Sequence, residues 1–344
     1  MKEIKIILCG CGGVGRQFLQ LLAERRADIK NQYHLDLAVI AAVDCNGAAV
    51  ADSEQGLPLR DLLEHVSRGK EVQEFPGCGE PGLSGVEAIK QLDAQVMVEA
   101  TPTNLVDGGI GTHHIFTAIE QGMEVVSANK GPFVLYYSRI FNEARKQNIG
   151  LHISAATAAA LPTLDVGLTC LAGSEVLSME GILNGTTNYI LTEMRDNKTP
   201  YDIALKNAQA AGIAETNPSY DVEGKDTANK TILIANRVFG ATFGPKDIHV
   251  TGITDITPAD IDRATEKGTI IKLIGAVERI EDTLSLSVAP RELALEHPLA
   301  HVSGSEKAIT YVTDTMGSIT VMGGKSSPVG AAAALLKDLI NAFK

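Results

Sequence analysis

At 344 residues the chain exceeds what one hydrophobic core organises, and about 150 residues per domain points to two domains. Apolar residues make up 44% and charged residues 21%, an ordinary globular balance, while 4% aromatics without tryptophan argues against stacking platforms for nucleic acid. A formal net charge of -12, from 42 acidic and 30 basic residues, disfavours phosphate backbones and anionic membranes. The expected partner is a small-molecule substrate, with no nucleic acid and no membrane.

The longest apolar stretches, Leu35 to Val43 and Ile153 to Leu164, fall short of the ~20 residues a membrane helix needs. The amino terminus runs from Met1-Lys2-Glu3 into a short apolar segment and then glycines, without a signal-peptide pattern, so a cytoplasmic location is expected. Five cysteines, odd in number and without paired metal spacing, fit a reducing compartment. Cys9 and Cys11 read as small loop-packing residues, since a zinc site needs about four ligands.

In chain order, Ile4 to Cys9 reads as a strand, the glycines after it as a tight turn, and Val14, Phe18, Leu21 and Leu22 as a helix. Leu35 to Val43 has the aliphatic richness of a parallel strand buried on both faces, completing a βαβ unit. A polar, glycine-rich stretch follows from about residue 69 to 85, within which Gly77 to Gly82 is expected to be loop. Val96 to Ala100 and Val125 to Ser127 read as further strands, with a helix near His114 to Gln121 between them. Residues 1–153 are thus expected to form a doubly wound, Rossmann-type α/β domain. Longer helices mixed with β-branched runs, among them Leu284 to Val288 and Ile309 to Asp314, then predict a second, α+β domain. Thr199-Pro200 and Ser327-Pro328 read as helix starts, and Gly212 as a helix stop.

Gly10-Cys11-Gly12-Gly13-Val14-Gly15 fits Gly-x-Gly-x-x-Gly between a predicted strand and a predicted helix. The first glycine allows the tight turn, the second lets backbone approach a pyrophosphate, and the third permits close helix packing. Any strand-to-helix turn is the plainer alternative. Asp44, at the end of the second strand, suits a hydrogen bond from a ribose hydroxyl and repels a 2′-phosphate, which favours NAD over NADP. An ordinary turn aspartate before Asn46-Gly47 is the other reading. Asp226 and Lys230, four apart in a helical stretch, share one face and form either part of a site or a surface ion pair. The neighbouring His113 and His114 are taken as a packed helix start.

Several spaced blocks resemble the homoserine dehydrogenase family. They include Val98 to Asn104, Val125 to Pro132 with its Ala128-Asn129-Lys130, Gly181 to Ile190, Gly212 to Lys230, His297 to Ala300 and Tyr311 to Asp314. The resemblance covers nearly the whole chain and thins over residues 69–85. It implies interconversion of L-aspartate 4-semialdehyde and L-homoserine with NAD(P)H, in the threonine and methionine branch of amino-acid biosynthesis. It also implies a homodimer or higher oligomer, and three parts: a dinucleotide-binding domain (1–153), a substrate-binding and dimerisation domain (154–310) and a C-terminal segment returning to the first (311–344). Lys130 and Lys230 are then the expected catalytic residues, Lys130 also contacting cofactor. Gly185, Thr186, Glu215, Asp221 and Asp226 are expected to hold substrate, and Gly10, Gly12, Gly13, Val14, Gly15, Asp44 and Thr101 to hold NAD or NADP.

The residue types suit the chemistry. Hydride reduction of an aldehyde leaves charge on oxygen, which a lysine stabilises and protonates. An amino-acid substrate needs carboxylates near its ammonium group. Two segments depart from the family pattern. Where the family has Glu-Ala-x-Val-x-x-Gly-x-Pro, this chain reads Ser154 to Pro162 without the acid or the glycine, although backbone carbonyls of Thr157, Ala159 and Leu161 remain candidate sodium ligands. Where the family has Gly-Pro-Gly-Ala-Gly, residues 323–327 are Gly-Gly-Lys-Ser-Ser. These departures keep two rivals open: a sibling dehydrogenase of another small amino aldehyde, and a non-catalytic nucleotide sensor.

Overall fold

A computed structural model describes residues 1–281, 283–324 and 327–344, and the chain divides into two compact units. The first comprises Met1–Ala159 with Ser327–Lys344, the second Ala160–Ser326.

Among the described residues of the first unit, seven strands form one sheet: β1 (Lys2–Cys9), β2 (Leu35–Asp44), β3 (Gly47–Val50), β4 (Gly79–Pro81), β5 (Val96–Glu99), β6 (Glu124–Ser127) and β7 (Leu151–His152). Their order is β4-β3-β2-β1-β5-β6-β7. The five strands from β2 to β7 in that order run parallel, while β3 and β4 are added antiparallel at one edge. The chain moves outward from β1 to β2 and then returns to place β5 on the other side of β1. That reversal is the switch point at whose carboxyl edge α/β proteins bind ligands. Ile4, Ile6 and Leu8 of β1 are fully buried and pack with Phe18 and Leu22 of the Gly13–Tyr33 helix. Burial of each such side chain contributes ~2 kcal/mol. The Pro328–Phe343 helix completes this core with Ala332, Leu335 and Leu339, and Ser327 caps its start by accepting from Gly330 N (3.2 Å).

The second unit holds β8 (Val176–Ile182), β9 (His249–Val250), β10 (Thr269–Ile280), β11 (Thr283–Ala294), β12 (Lys307–Thr313) and β13 (Gly317–Gly323), ordered β13-β12-β8-β10-β11-β9 among the described residues. The helices Gly185–Asp196 and Lys225–Val238 cover it, packing Ile190, Leu191, Met194 and Ala228 against Leu273 and Val288.

Three local expectations change. Gly79 to Pro81 is an edge strand within the expected loop, paired with β3, where a proline costs no central ladder bond. Thr199 does not cap the helix after it: Pro200 occupies that place, the helix is Tyr201–Ala210, and the Thr199 hydroxyl donates to Glu193 O (3.3 Å). The chain returns to the first unit at Ser327 rather than at 311, because residues 307–323 are hairpin strands of the second sheet, and the first crossing falls after Ala159 rather than 153.

Candidate active site

On the first unit, the loops after β2, β1, β5 and β6 all open on the carboxyl edge of the sheet. They carry Asp44, the glycine loop, Thr101 and Lys130 respectively. At ~4.8 Å per strand, the four span about three strand spacings.

The three motif glycines serve different ends. Gly10 has φ +100, and a Cβ there would lie 2.6 Å from the Ala100 carbonyl carbon. A Cβ on Gly15 would lie 1.9 Å from Gly10 O, so the helix and the turn touch only because position 15 is bare. Among the described residues a Cβ on Gly12 would meet nothing within 4 Å, and its φ is -75, so no described neighbour requires glycine there. Its bareness suits a ligand that approaches backbone. Gly12 caps the 21-residue Gly13–Tyr33 helix without a side-chain hydrogen bond, and no acid lies in the first turn. The partial positive charge at that end is therefore left for an anion. Gly13 and Val14 form the first turn, and Arg16 Nε donates to Cys11 O (2.8 Å), bracing the loop.

Asp44 is the exposed last residue of β2, and its Oδ1 accepts from Cys45 N (2.9 Å). It lines a cavity of about 280 Å³ with Arg16, Asn46, Lys70 and Gln73 among its walls. Lys130 begins the Lys130–Leu135 helix, capped by Asn129, whose Oδ1 accepts from Gly131 N (3.1 Å).

On the second unit, Asn184 converges with three residues of a distant segment, Asp221, Asp226 and Lys230. Lys230 Nζ reaches Asp226 Oδ2 (2.5 Å) and donates to Leu183 O (2.8 Å). Asn184 Nδ2 donates to both Asp221 Oδ1 (2.7 Å) and Asp226 Oδ2 (2.9 Å), while its Oδ1 accepts from Thr187 N (2.9 Å) and so caps the Gly185–Asp196 helix. Burial, and then the Asp226 charge, raise the Asp221 carboxyl above its ordinary value. Two half-buried to buried carboxylates thus share the Asn184 amide, and the lysine pairs with Asp226. A second cation would relieve the mutual repulsion, and a substrate ammonium is such a cation. Tyr220 adds a hydroxyl that accepts from Asn229 Nδ2 (2.6 Å) and is held protonated by burial.

Both units match known protein families. A model described as the homoserine dehydrogenase NAD binding domain matches residues 10–154, and one described as homoserine dehydrogenase matches 162–340. Homoserine dehydrogenase of Methanocaldococcus jannaschii is 37% identical over 338 residues, 98% of either chain. The chain belongs to the homoserine dehydrogenase family. NAD(+)-dependent homoserine dehydrogenase of Pseudomonas canavaninivorans is 34% identical, covering 99% of this chain and 96% of that one. A hyperthermophilic archaeal homoserine dehydrogenase solved with NADPH superposes with a TM-score of 0.83 at 25% identity, covering 99% and 97%. The protein is accordingly an NAD(P)-dependent oxidoreductase with an α/β fold.

Against the family pattern, Asp221, Asp226 and Lys230 lie together, and Gly185 and Thr186 open the adjoining helix, where Thr186 Oγ1 donates to Ile213 O (3.0 Å). Glu215 stands apart: its side chain is exposed, and its backbone carbonyl accepts from Gln209. Asn184 was not among the expected residues. The helix-capping pattern Asn184-Gly185-Thr186-Thr187 carries a signal for its Oδ1 but none for its amide. Lys325 and Ser326 of the altered glycine segment lie outside the described residues.

Proposed function

We propose that the chain interconverts L-homoserine and L-aspartate 4-semialdehyde, with NAD preferred over NADP. The observation that carries the substrate is the Asn184–Asp221–Asp226–Lys230 cluster, a set of groups matched to an amino acid that also bears a reactive oxygen. Asp221 and Asp226 take the substrate ammonium, and Asn184 keeps the two carboxylates at a fixed separation. An ammonium has three donors. Lys230 uses two on Asp226 and Leu183 O, and the third meets the substrate oxygen, where it stabilises charge as the aldehyde is reduced.

At the carboxyl edge of the first sheet, Asp44 would hold the adenosine ribose of the cofactor, Gly10, Gly12, Gly13, Val14 and Gly15 its pyrophosphate, and Thr101 and Lys130 its nicotinamide end. When bound, the nicotinamide would supply the hydride acceptor for oxidation of the carbinol carbon and, reduced, the hydride donor for the aldehyde. Lys130 holds a donor at the nicotinamide end, and Asp44 accepts from the ribose hydroxyl while opposing a 2′-phosphate. Of the candidate sodium ligands, the Leu161 carbonyl already accepts from Thr163 N (2.8 Å), and Ser154 Oγ, in place of the family acid, accepts from the Lys337 ammonium (3.1 Å).

The resemblance further supports a homo-oligomer, a dimer or larger, which light scattering of the purified protein tests. It also supports a cytoplasmic site of action; among the described residues no helix is long and apolar enough to cross a membrane. The functional test is appearance of reduced cofactor on mixing purified protein with L-homoserine and NAD⁺ or NADP⁺. Turnover with a higher kcat/KM for NAD⁺ is expected. Folded protein that oxidises another hydroxy amino acid but not homoserine would refute the substrate.

A further inference from the structure

The most deeply buried acid of the first unit is Glu99. It ends β5 in the middle of a parallel sheet and is fully buried. Such strands are ordinarily aliphatic on both faces, and an ionisable pair in their place is often no more stabilising than apolar residues of the same size. Fold stability alone therefore gives no reason for a carboxylate here.

Its contacts point to one place. Oε1 accepts from Thr101 N (2.8 Å) and from the Thr101 hydroxyl, and also from Asn129 Nδ2 (3.4 Å). Oε2 accepts from Nδ1 of His114, itself buried in the Gly109–Glu120 helix (2.8 Å). The Asn129 amide reaches Thr101 Oγ1 (3.1 Å) as well, while its carbonyl caps the helix that begins at Lys130. The surroundings are cut to fit this arrangement. A Cβ on Gly111 would lie 2.5 Å from Asn129 Nδ2, and one on Gly85 2.3 Å from His114 Nε2. A Cβ on Gly131 would lie 2.2 Å from Asn104 O, so the loops after β5 and β6 are held in close register.

We propose that Glu99, oriented by His114, is a positioning residue that acts through Asn129 to set the place of Lys130 relative to Thr101. A hydrogen-bonded chain runs from one buried carboxylate to the loops after both strands, and rotation of the Asn129 amide would release both. The inference rests on the proposed role of Lys130. Misplacing a catalytic group by about 1 Å costs on the order of 100-fold in rate.

The test is a double-mutant cycle. Glu99→Gln and Asn129→Ser are each made in the wild-type and the Lys130→Met backgrounds. Serine keeps a capping oxygen at position 129 but removes the amide, so this variant retains the helix start if Glu99→Gln does not fold. With Lys130 present, kcat for homoserine oxidation should fall roughly 10- to 100-fold with the Kd for NADH changed less than about threefold. In the Lys130→Met background the same substitutions should change kcat less than about threefold. Equal losses in both backgrounds, or no loss with Lys130 present, would overturn the proposal. If Lys130→Met is itself as active as wild type, the functional reading of Lys130 fails instead. The relay is then read without turnover, by acetylation footprinting: Asn129→Ser should change the rate at Lys130 and leave exposed Lys146 unchanged. An unaltered Lys130 rate would sink the relay.

Discussion

The glycine loop after β1 and the carboxylate cluster of the second unit are built on opposite principles. In the loop, backbone excludes side chains: Gly10 and Gly15 are bare because Ala100 and Gly10 itself stand where a Cβ would go. In the cluster, side chains do the work, and Asn184 joins acids 37 and 42 positions away. A site for a common cofactor can be made from local chain geometry, whereas a site for a particular amino acid needs charged groups gathered over long range. Substitutions should accordingly act on fold or cofactor binding at the loop, according to what each glycine faces, and on turnover at the cluster.

The largest effect on fold is expected at Gly15. Gly15→Ala places a methyl 1.9 Å from a carbonyl oxygen of the turn, so the helix must move, at a cost above ~3 kcal/mol. Thermal melting should show it. Gly12→Ala meets no described neighbour and should melt within ~0.5 kcal/mol of wild type while weakening NADH binding about tenfold or more. If both substitutions act alike on stability, the division between internal and ligand-imposed glycines is wrong.

A second test lies outside both regions. Lys272 on β10 is buried, bonded to Asn188 Oδ1 (3.0 Å) and Val302 O (2.5 Å), and its ammonium is pushed down to about 8 by burial and then by Arg195. Below pH 8 folded and unfolded chains both carry the proton, and the full penalty stands. Between about 8 and the ordinary 10.5 the unfolded chain binds more protons, so stability rises with pH, by on the order of 3 kcal/mol in total. Urea midpoints of wild type minus Lys272→Met should rise across that range. A flat difference would show that Lys272 keeps an ordinary ammonium inside the second unit.

The smallest effect sharpens the cofactor half. Asp44→Ala should raise kcat/KM for NADP⁺ relative to NAD⁺ by roughly 10-fold, a little over 1 kcal/mol, because Arg16 and Lys70 line the same cavity and no carboxylate then opposes a 2′-phosphate. An unchanged ratio would remove Asp44 from cofactor selection.

The same contrast explains what could be read in advance. The β1 strand, glycine turn and following helix announce themselves because their periodicity and their motif are local. Edge strand β4 did not: Gly79-Glu80-Pro81 has loop composition and becomes a strand only through its partner β3. Asp226 and Lys230 were legible as an i,i+4 pair, but an isolated pair on a helix is ordinarily a surface feature. What makes this one buried is Asn184 and Asp221, brought in by the fold. Glu99 was invisible for the converse reason. At the end of a strand an acid looks solvated, and only β1, β6 and the Gly109–Glu120 helix around it bury it.

The most direct test of the account compares wild type with Lys230→Ala for homoserine oxidation with NAD⁺, alongside NADH binding. The expected result is a fall in kcat of roughly 100-fold or more, since the charge acts chiefly in the transition state, with the Kd for NADH nearly unchanged. A variant that keeps wild-type kcat would contradict it.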